Sequence, residues 1–579
     1  MQTPPSDPLA LLPPELVLRI LEFASLSTVA SLTAVSTAWR QFIDLTHQDV
    51  IYSVFSKAAQ PPAATFSKWF DDITSHKKLC ERQTLLARNW ASPQPTSREL
   101  VLQVSDNPVW RFRADLKRRF IVSTSHAGGL NVTDIDTGRL LWRLPSTLDS
   151  HDEHAVRPYA HLEYDNGMAV IDREGDAVEV WQTDVDGAPR GEFRRIAVLD
   201  HDCQTRGFQL SYETLCVVST QGQGFVYDMT QRPVNLITHL TIERDAVGHL
   251  DQCPDAVIYS MGPRGYHVYD KISGEFWGAL QPSQCTDIYH IRHPKGRSGS
   301  TNIRPAGPQR HDLAHQFLSA GSPTKDNIAP IKLSKGPLPP PRDPEHVRHG
   351  EDEWGAGMED GGLFVGVSRA GRVFVCSDWR KALRDQKSLA ECSAVIECES
   401  DGSTFDLGGW LSVRDRRVMF EVQDRAYVVA LDHNKRIPDL DHQTPASYSF
   451  LTCSMPQLAV PVSFMALYDD TIMTTYTTLG RRQPPPIHPN GMAQDHQANA
   501  AHFFPTKTVR ILAMAPDSLA VDTTEPPSPA EDMLGEHDAH PFSADEIRSQ
   551  ALLQLLSMLR EEYGDADSNE SDGEWEDID

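Results

Sequence analysis

Hydrophobic positions near the start of the chain recur at helical spacing. Leu16, Ile20 and Phe23 lie three or four residues apart, which indicates an amphipathic helix opened by two prolines. Two further short helices are expected to follow, with Ser27 and Ser36 as their N-caps. Three helices of this length cannot bury so much apolar surface among themselves. Another surface should therefore cover part of it.

A further helical stretch follows over residues 65–90 and includes Trp69 and Trp90. A helix rises about 1.5 Å per residue, so such a connector is a stiff spacer that fixes the distance to the next domain. Two tryptophans fit poorly with a helix that only faces solvent.

From residue 100 the pattern changes to short β-strands that end repeatedly in polar turns. Asp134, Trp181, Asp228 and Asp270 mark corresponding positions, and their successive spacings are 47, 47 and 42 residues. A period in the forties made of short strands is typical of propeller blades, and we expect about seven of them. A pair of β-sandwiches is the alternative, but its strands would not recur at so regular an interval.

The last blade is expected to use three strands near the end of the β-rich region, at Phe464–Leu467, Ile472–Tyr476 and Val509–Met514. Two insertions interrupt the pattern. The first is rich in Pro, Gly and Ser, and its residues 294–349 carry nine Lys/Arg against four Asp/Glu. The second, residues 480–505, falls inside the final blade. Such sequences lack the periodic apolar content that a folded segment needs, so mobile loops are expected.

The C-terminal region combines a predicted amphipathic helix with an acidic tail. Ser543 and Glu546 form a capping box, and an apolar stripe follows at Ile547, Ala551, Leu552, Leu555 and Leu559. Residues 565–579 contain eight carboxylates and are expected to be disordered. The pattern leaves open whether the helix docks back on the propeller or binds a partner.

The distribution of charge narrows the class of partner. The chain has a formal net charge of −26, and residues 531–579 account for −14 of it with 16 Asp/Glu and two Arg. A mildly acidic body makes nucleic acid an improbable ligand, because phosphate binding depends on clustered cations. There is no apolar run long enough for a membrane span and no signal-peptide pattern, and nine widely spaced cysteines argue against a disulfide framework. We expect an intracellular protein, cytoplasmic or nuclear, with no membrane partner.

The N-terminal pattern resembles a known family. Leu12-Pro13-x-Glu15-Leu16-x-x-x-Ile20-Leu21, followed by Leu32-x-x-Val35-x-x-x-Trp39, is similar to the F-box, the segment that docks onto the Skp-type adaptor of cullin-RING ubiquitin ligases. The resemblance implies that eight residues supply the adaptor contact and the small core beneath it: Leu12, Pro13, Leu16, Ile20, Leu21, Leu32, Val35 and Trp39. An ordinary helical bundle packed on the rest of the chain is the alternative interpretation.

Motifs that would indicate catalysis are missing from the sequence. The nearest approach to Gly-x-Ser-x-Gly, at residues 366–371, is one residue too long, and no phosphate-binding Gly-x-x-x-x-Gly-Lys-Ser/Thr occurs. His151, His154 and His161 lie close together, but the sequence offers no fourth metal ligand beside them. The sequence predicts a non-catalytic protein with no cofactor and no metal.

The predicted fold class is mainly β with an α-helical N-terminus. The expected divisions are a disordered start (1–10), an F-box (11–55), a linker helix (65–92), a β-propeller-like domain (100–515) with disordered insertions (294–360 and 480–505), a linker (516–541), an amphipathic helix (542–563) and an acidic disordered tail (564–579).

The family resemblance implies the substrate-recognition subunit of an SCF-type ubiquitin ligase. Its partners would be the Skp-type adaptor, cullin through that adaptor, and a protein substrate that the sequence does not identify. An F-box-containing scaffold acting outside protein degradation is the alternative. A propeller hydrolase or lyase stays open, because sequence cannot show whether residues of different blades converge.

Overall fold

In the computed structural model of this chain, the residues described are 7–57, 65–105, 107–173, 176–185, 187–242, 249–292, 328–337, 353–368, 371–398, 410–422, 425–438, 446–453, 462–482 and 502–516. The predicted helix 542–563 and the acidic tail 564–579 lie outside them, as does nearly all of the linker 516–541.

The N-terminal part is helical. Its elements are α1 (Pro8–Leu11), α2 (Pro14–Leu21), α3 (Leu26–Leu32), α4 (Thr37–Arg40), a π-helical turn (Gln41–Thr46), α5 (Gln48–Lys57) and α6 (His76–Trp90). Ser36 Oγ accepts the Trp39 N–H at 3.2 Å, so its predicted role as an N-cap is confirmed. The cap of α3 is Ser25 rather than Ser27, because the helix begins at Leu26 and Ser25 Oγ accepts the Thr28 N–H.

In the part of the chain that the structure describes, seven four-stranded antiparallel units follow, which we call blades 1 to 7. Blade 1 contains β2 (Val109–Asp115), β3 (Phe120–Ser125), β4 (Leu130–Asp134) and β5 (Leu140–Leu144). Blade 2 contains β6 (Leu162–Asp165), β7 (Met168–Asp172), β8 (Ala177–Thr183) and β9 (Phe193–Asp200). Blade 3 contains β10 (Thr205–Ser211), β11 (Thr214–Ser219), β12 (Gln223–Asp228) and β13 (Asn235–Thr241). Blade 4 contains β14 (Leu250–Gln252), β15 (Ala256–Ser260), β16 (Tyr266–Asp270) and β17 (Phe276–Leu280).

Blades 5 and 6 are fused through two additional strands, β18 (Ile288–Arg292) and β19 (Ala329–Lys335). Blade 5 contains β20 (Trp354–Asp360), β21 (Leu363–Ser368), β22 (Arg372–Cys376) and β23 (Ser393–Glu397), with α7 (Trp379–Ala382) and α8 (Gln386–Cys392) before β23. Blade 6 contains β24 (Leu411–Arg414), β25 (Arg417–Val422), β26 (Arg425–Ala430) and β27 (Ser447–Leu451). β18 pairs with β23 and β19 pairs with β27, which gives one ten-stranded sheet.

Blade 7 joins the two ends of the β-rich region. Its strands are β28 (Met465–Leu467), β29 (Thr471–Arg482), β30 (His502–Ala513) and β1 (Arg98–Leu102). β1 pairs antiparallel with β30, and Leu100 lies opposite Ile511. The chain therefore closes the last blade with the strand that precedes the first.

The core of the domain lies between the blades. Within the described residues, one buried apolar cluster fills the space between each pair of neighbouring blades, including blades 7 and 1. At that last junction the rings of Phe112 and Phe464 meet edge to face, with centroids 5.0 Å apart. The sheets thus form a closed ring, and the predicted propeller is confirmed.

The repeat positions found in the sequence correspond to one strand of each blade. Asp134, Trp181, Asp228 and Asp270 all lie in, or end, the third strand of blades 1 to 4. Asp134 Oδ1 accepts the N–H groups of Asp136 and Thr137, so the carboxylate organises the turn that follows the strand.

Some boundaries differ from those expected. Asp7 Oδ1 accepts the Leu9 N–H and caps α1, which starts within the segment expected to be disordered. The connecting helix begins only at His76, after its cap Ser75. β19 and β20 lie within the predicted insertion 294–360, because apolar side chains of β19 complete the cluster between blades 5 and 6. The ends of β29 and β30 likewise reach into the insertion 480–505.

Candidate functional site

The N-terminal helices pack around a buried apolar core. α2 buries Val17 and Leu21, and these side chains pack with residues of the following helices: Val29, Trp39, Ile43, Ile51, Tyr52 and Cys80. Cys80 belongs to α6, so the connecting helix contributes to this core. Part of the apolar surface of these helices is therefore buried by α6, the helix that leads to the propeller.

The other side of α2 carries apolar residues that this core does not use. Leu16 is 52% exposed and Ile20 is 56% exposed, one helical turn apart. Phe23, just beyond the helix, is 80% exposed, and Val35 in the turn between α3 and α4 is 67% exposed. Isolated exposed apolar residues are ordinary, whereas four in so short a segment form a concentrated set of exposed apolar side chains.

The eight residues assigned by family resemblance divide by location. Leu21 and Trp39 are buried in the helical core, and Leu12 and Leu32 are partly buried against it. Pro13, Leu16, Ile20 and Val35 are exposed. Only the exposed group is placed to touch a partner directly, whereas the buried group can act through the shape of the helices that it supports. Phe23, Leu11 and Leu45 are also exposed, and the resemblance did not select them.

A groove of about 260 Å³ lies between the first two helices, α4 and the π-helical turn. It is lined mainly by apolar side chains: Leu9, Leu12, Pro14, Val17, Ala38, Gln41, Phe42 and Thr46. Several of these residues also pack in or around the helical core, among them Leu9, Leu12, Val17 and Phe42.

Polar contacts fix α5 and α6 to the π-helical turn. Asp44 accepts a hydrogen bond from the Tyr52 hydroxyl at 3.2 Å and lies 2.8 Å from the Lys77 ammonium. Burial, followed by the nearby Asp44 carboxylate, raises the pKa of Tyr52 well above its usual range. These contacts hold α6 against the N-terminal helices at its own N-terminal end.

The C-terminal end of α6 belongs to the propeller. Leu86 and Trp90 are buried in the cluster between blades 6 and 7. Trp90 Nε1 donates a hydrogen bond to the Asp469 carbonyl oxygen at 3.0 Å, and the Arg417 guanidinium lies 4.4 Å from the centre of the Trp90 ring. One helix thus contributes to both cores, which makes the connection between the two parts stiff.

The segment before α6 adds a second attachment. The backbone N–H groups of Phe66 and Ser67 donate to the two carboxylate oxygens of Asp470, at 3.0 and 2.9 Å. Arg119 of blade 1 donates to the Phe66 carbonyl oxygen at 2.8 Å. Arg119 therefore supports the attachment. Its neighbour Arg118 forms ion pairs with Asp115 and Asp184. Nothing in the sequence around Asp470 indicates that its carboxylate binds the segment before α6.

All these attachments lie on one face of the ring. In each blade, the turns between the first and second strands and between the third and fourth strands lie on the same face, which we call the lower face. Arg119 and Asp470 lie in turns between first and second strands, and Arg417 begins the second strand of blade 6. The helical part is therefore fixed to the lower face, and the upper face is directed away from it.

Near the upper end of the central channel lies a stacked arginine. Arg111 of β2 is buried, and its guanidinium carbon lies 3.5 Å from the centre of the Trp410 ring. Its Nη1 donates to the Ser463 carbonyl oxygen at 2.9 Å. The Trp410 ring also lies 5.9 Å from the His249 ring. Trp410 precedes the first strand of blade 6, whereas Arg111 belongs to blade 1 and His249 precedes the first strand of blade 4. The Trp410 side chain therefore crosses the channel. Burial, helped by the charge of Arg113, lowers the pKa of Arg111 to about 9.

A buried ion pair joins the first two blades beside it. Arg113 Nη2 lies 2.6 Å from both carboxylate oxygens of Glu163, and His161 Nε2 lies 3.1 Å from Glu163 Oε1. Burial alone would raise the pKa of Glu163, but the charges of Arg113 and His161 outweigh it and lower the pKa to about 2. His161 is thus held by this pair and stacks near Phe208 at 4.4 Å.

The three histidines do not form a site. His154 lies against the Trp181 ring, 5.5 Å away, while His161 faces Glu163. In the part of the chain that the structure describes, no group of three His, Cys, Asp or Glu side chains could hold a metal ion. Among the same residues, no helix is both long and apolar enough to cross a membrane.

Comparisons with known proteins identify the N-terminal region. Residues 9–47 match the F-box domain. Comparison with curated proteins gives no match. Among solved structures, the β-propeller domain of Cps50 (Swd1) from Myceliophteria thermophila is 9% identical with a TM-score of 0.38, over 72% of this chain and 99% of that chain. The computationally designed Ika8 protein is 14% identical with a TM-score of 0.36, over 65% of this chain and 95% of that chain.

The chain therefore carries an F-box domain followed by a β-propeller. F-box domains generally bind Skp-type adaptors, and F-box proteins are generally non-catalytic. The combination supports a protein-interaction role for this chain.

Proposed function

We propose that this chain is the substrate-recognition subunit of an SCF-type ubiquitin ligase. The F-box would bind the Skp-type adaptor, and cullin would join through that adaptor inside the cell, in the cytoplasm or the nucleus. The propeller would bind the target protein. The observation that carries the proposal is the apolar surface at Leu16, Ile20 and Val35, which stays exposed although the helices beneath it already have a core.

The mechanism is one of proximity. A target held on the propeller has its lysines at high local concentration near the ubiquitin-loaded enzyme, because binding replaces a bimolecular encounter with an intramolecular one. This gain depends on a connection that does not swing freely. α6, buried at Cys80 in one core and at Trp90 in the other, supplies such a connection.

The upper face is the proposed target-binding face. It lies opposite the face that carries the F-box, so a bound target would not compete with the adaptor for space. Trp110 and Trp410 at its centre are half-buried, and aromatic side chains are frequent in protein interfaces.

Co-purification with a Skp-type adaptor tests the F-box assignment. The double variant Leu16→Asp, Ile20→Asp should reduce adaptor binding at least a hundredfold, since it places two charges in an apolar interface. Leu140→Asp is the matched control, because Leu140 is 49% exposed but lies on the propeller. Retained binding by the double variant would remove the assignment of this surface.

The role in degradation needs a separate measurement. If cullin co-purifies with the wild-type chain and bound proteins accumulate in cells when the chain is removed, it acts as a substrate receptor. If the adaptor binds but cullin stays absent, the chain is an F-box-containing scaffold acting outside protein degradation.

A further inference from the structure

Blades 3 and 4 carry a set of exposed apolar side chains in and beside their turns. Ile272 is 78% exposed and Phe276 is 49% exposed on blade 4. Leu236, Ile237 and Tyr212 on blade 3 are between 41% and 48% exposed. We call these five residues the apolar strip.

Direct contacts join the two halves of the strip. Thr238 Oγ1 of blade 3 donates to the Ile272 carbonyl oxygen at 2.9 Å, which places Ile237 and Ile272 on adjoining positions. The Lys271 ammonium lies 5.6 Å from the centre of the Tyr212 ring. Phe276 lies 5.3 Å from Tyr269, at the start of the outermost strand of blade 4. The strip therefore spans the junction between blades 3 and 4.

The strip lies on the face from which the chain leaves the propeller. Ile272 follows the third strand of blade 4, so it belongs to the lower face. The last described residues reach the same face, because the Met514 N–H donates to the Asp470 carbonyl oxygen at 2.8 Å. Residues beyond 516 thus start on the side where the strip is.

The remaining chain is long enough to reach the strip. Residues 516–541 separate the end of the propeller from the predicted helix 542–563. Fully extended, 26 residues span about 85 Å, which exceeds the roughly 55 Å diameter of a domain of this size. Five prolines in this stretch favour an extended connection.

We propose that the helix 542–563 docks on the apolar strip of its own chain. The predicted helix presents Ile547, Leu552, Leu555 and Leu559 as one apolar stripe, which matches an exposed surface of aliphatic and aromatic side chains. Docking would also bring the acidic end of the chain to the lower face. This inference concerns a surface remote from the F-box and does not depend on adaptor binding.

Hydrogen exchange on the full-length chain tests the contact. The variant Leu555→Asp, Leu559→Asp should speed exchange of the backbone amides in 235–241 and 270–276 at least tenfold, because the strip loses its cover. Ser557→Asp is the matched control, since residue 557 lies on the opposite side of the predicted helix and should change nothing. Unchanged exchange in the double variant would overturn the proposal.

A reciprocal variant checks the contact from the propeller side. Ile272→Asp should speed exchange in 547–559, whereas Leu148→Asp, 69% exposed on the upper face, should not. Both native side chains are exposed, so neither variant is expected to unfold the ring. Light scattering tests the alternative that a second copy of the chain covers the strip. A dimer that dissociates in the Ile272→Asp variant but persists in the Leu555→Asp variant would support that alternative and overturn the proposal.

Discussion

Trp90, the last residue of the connecting helix, donates its indole N–H to the main-chain oxygen of Asp469 in the last blade, at 3.0 Å. The Trp90 ring is buried among apolar residues of blades 6 and 7, and the Arg417 guanidinium lies over it. The F-box is thus anchored by a side chain that belongs to the core of the ring.

Trp90→Ala should destabilise the propeller by about 3–5 kcal/mol, because it leaves a cavity between two blades and removes a buried hydrogen bond. Urea unfolding followed by tryptophan fluorescence and circular dichroism measures the change. Leu85→Ala on the same helix is the control, since Leu85 is 39% exposed and its loss should cost about 1 kcal/mol or less. Equal effects of the two variants would contradict the anchoring role.

Neighbouring residues of α2 should behave in opposite ways. Val17→Asp places a carboxylate in the helical core, where Val17 is 2% exposed, and should unfold the F-box. Leu16→Asp should leave the helices folded and remove only adaptor binding. Limited proteolysis of the first 57 residues distinguishes the two, and cleavage of both variants at equal rates would show that Leu16 also supports the fold.

Asp251 should make stability depend on pH. Burial, opposed by backbone N–H groups and reinforced by the Glu359 charge, raises its pKa to about 8. The folded state then holds a proton that the unfolded chain releases near pH 4, so the contribution is fully present below about pH 4 and is lost as pH rises towards 8. Asp251→Asn should therefore be more stable than the wild type at pH 8, by a few kcal/mol, and nearly equal at pH 4.

Thermal unfolding at both pH values measures this difference, with the exposed Asp149→Asn as the control. A constant difference between Asp251→Asn and the wild type across this range would show that the carboxyl does not titrate there.

Removing one partner of the buried pair in blades 1 and 2 should be costly. Arg113→Met leaves the Glu163 carboxylate, which is buried, without its guanidinium, and we expect a loss of about 3–5 kcal/mol at neutral pH. The double variant Arg113→Met, Glu163→Gln should recover part of this loss. In the wild type the pKa of Glu163 is about 2, so the stability that its charge provides is present above about pH 4.5 and is lost as pH falls towards 2. Urea unfolding from pH 3 to 7 follows both effects.

The sequence predicted the ring from local features. Asp134 and Asp270 were recognisable because each carboxylate caps the turn after a third strand, and such turns recur with the blades. β1 could not be found in this way, since its partner β30 lies about 400 residues further along the chain. β18 and β19 were hidden by the Pro- and Gly-rich sequence beside them. Their pairing with blades 5 and 6 is a tertiary contact that no local pattern reports.

The candidate surface was predictable in composition but not in orientation. Leu16 and Leu21 are both leucines of one helix, and the family pattern includes both. The structure separates them, because Leu21 meets Trp39 and Tyr52 in the core while Leu16 faces outward. Which apolar stripe a helix hides depends on where its neighbours cross it, and α6 arrives from outside the family pattern.

The pairing of β1 with β30 sets an order of events during synthesis. A ribosome releases the F-box helices long before it makes residues 502–513, so the last blade must wait for nearly the whole chain. Until then β1 lacks its partner strand, and the site that receives Trp90 lacks Leu512 and Met514. A nascent or prematurely terminated chain would therefore carry a finished F-box on an open ring, exposing strand edges of the kind that chaperones shield.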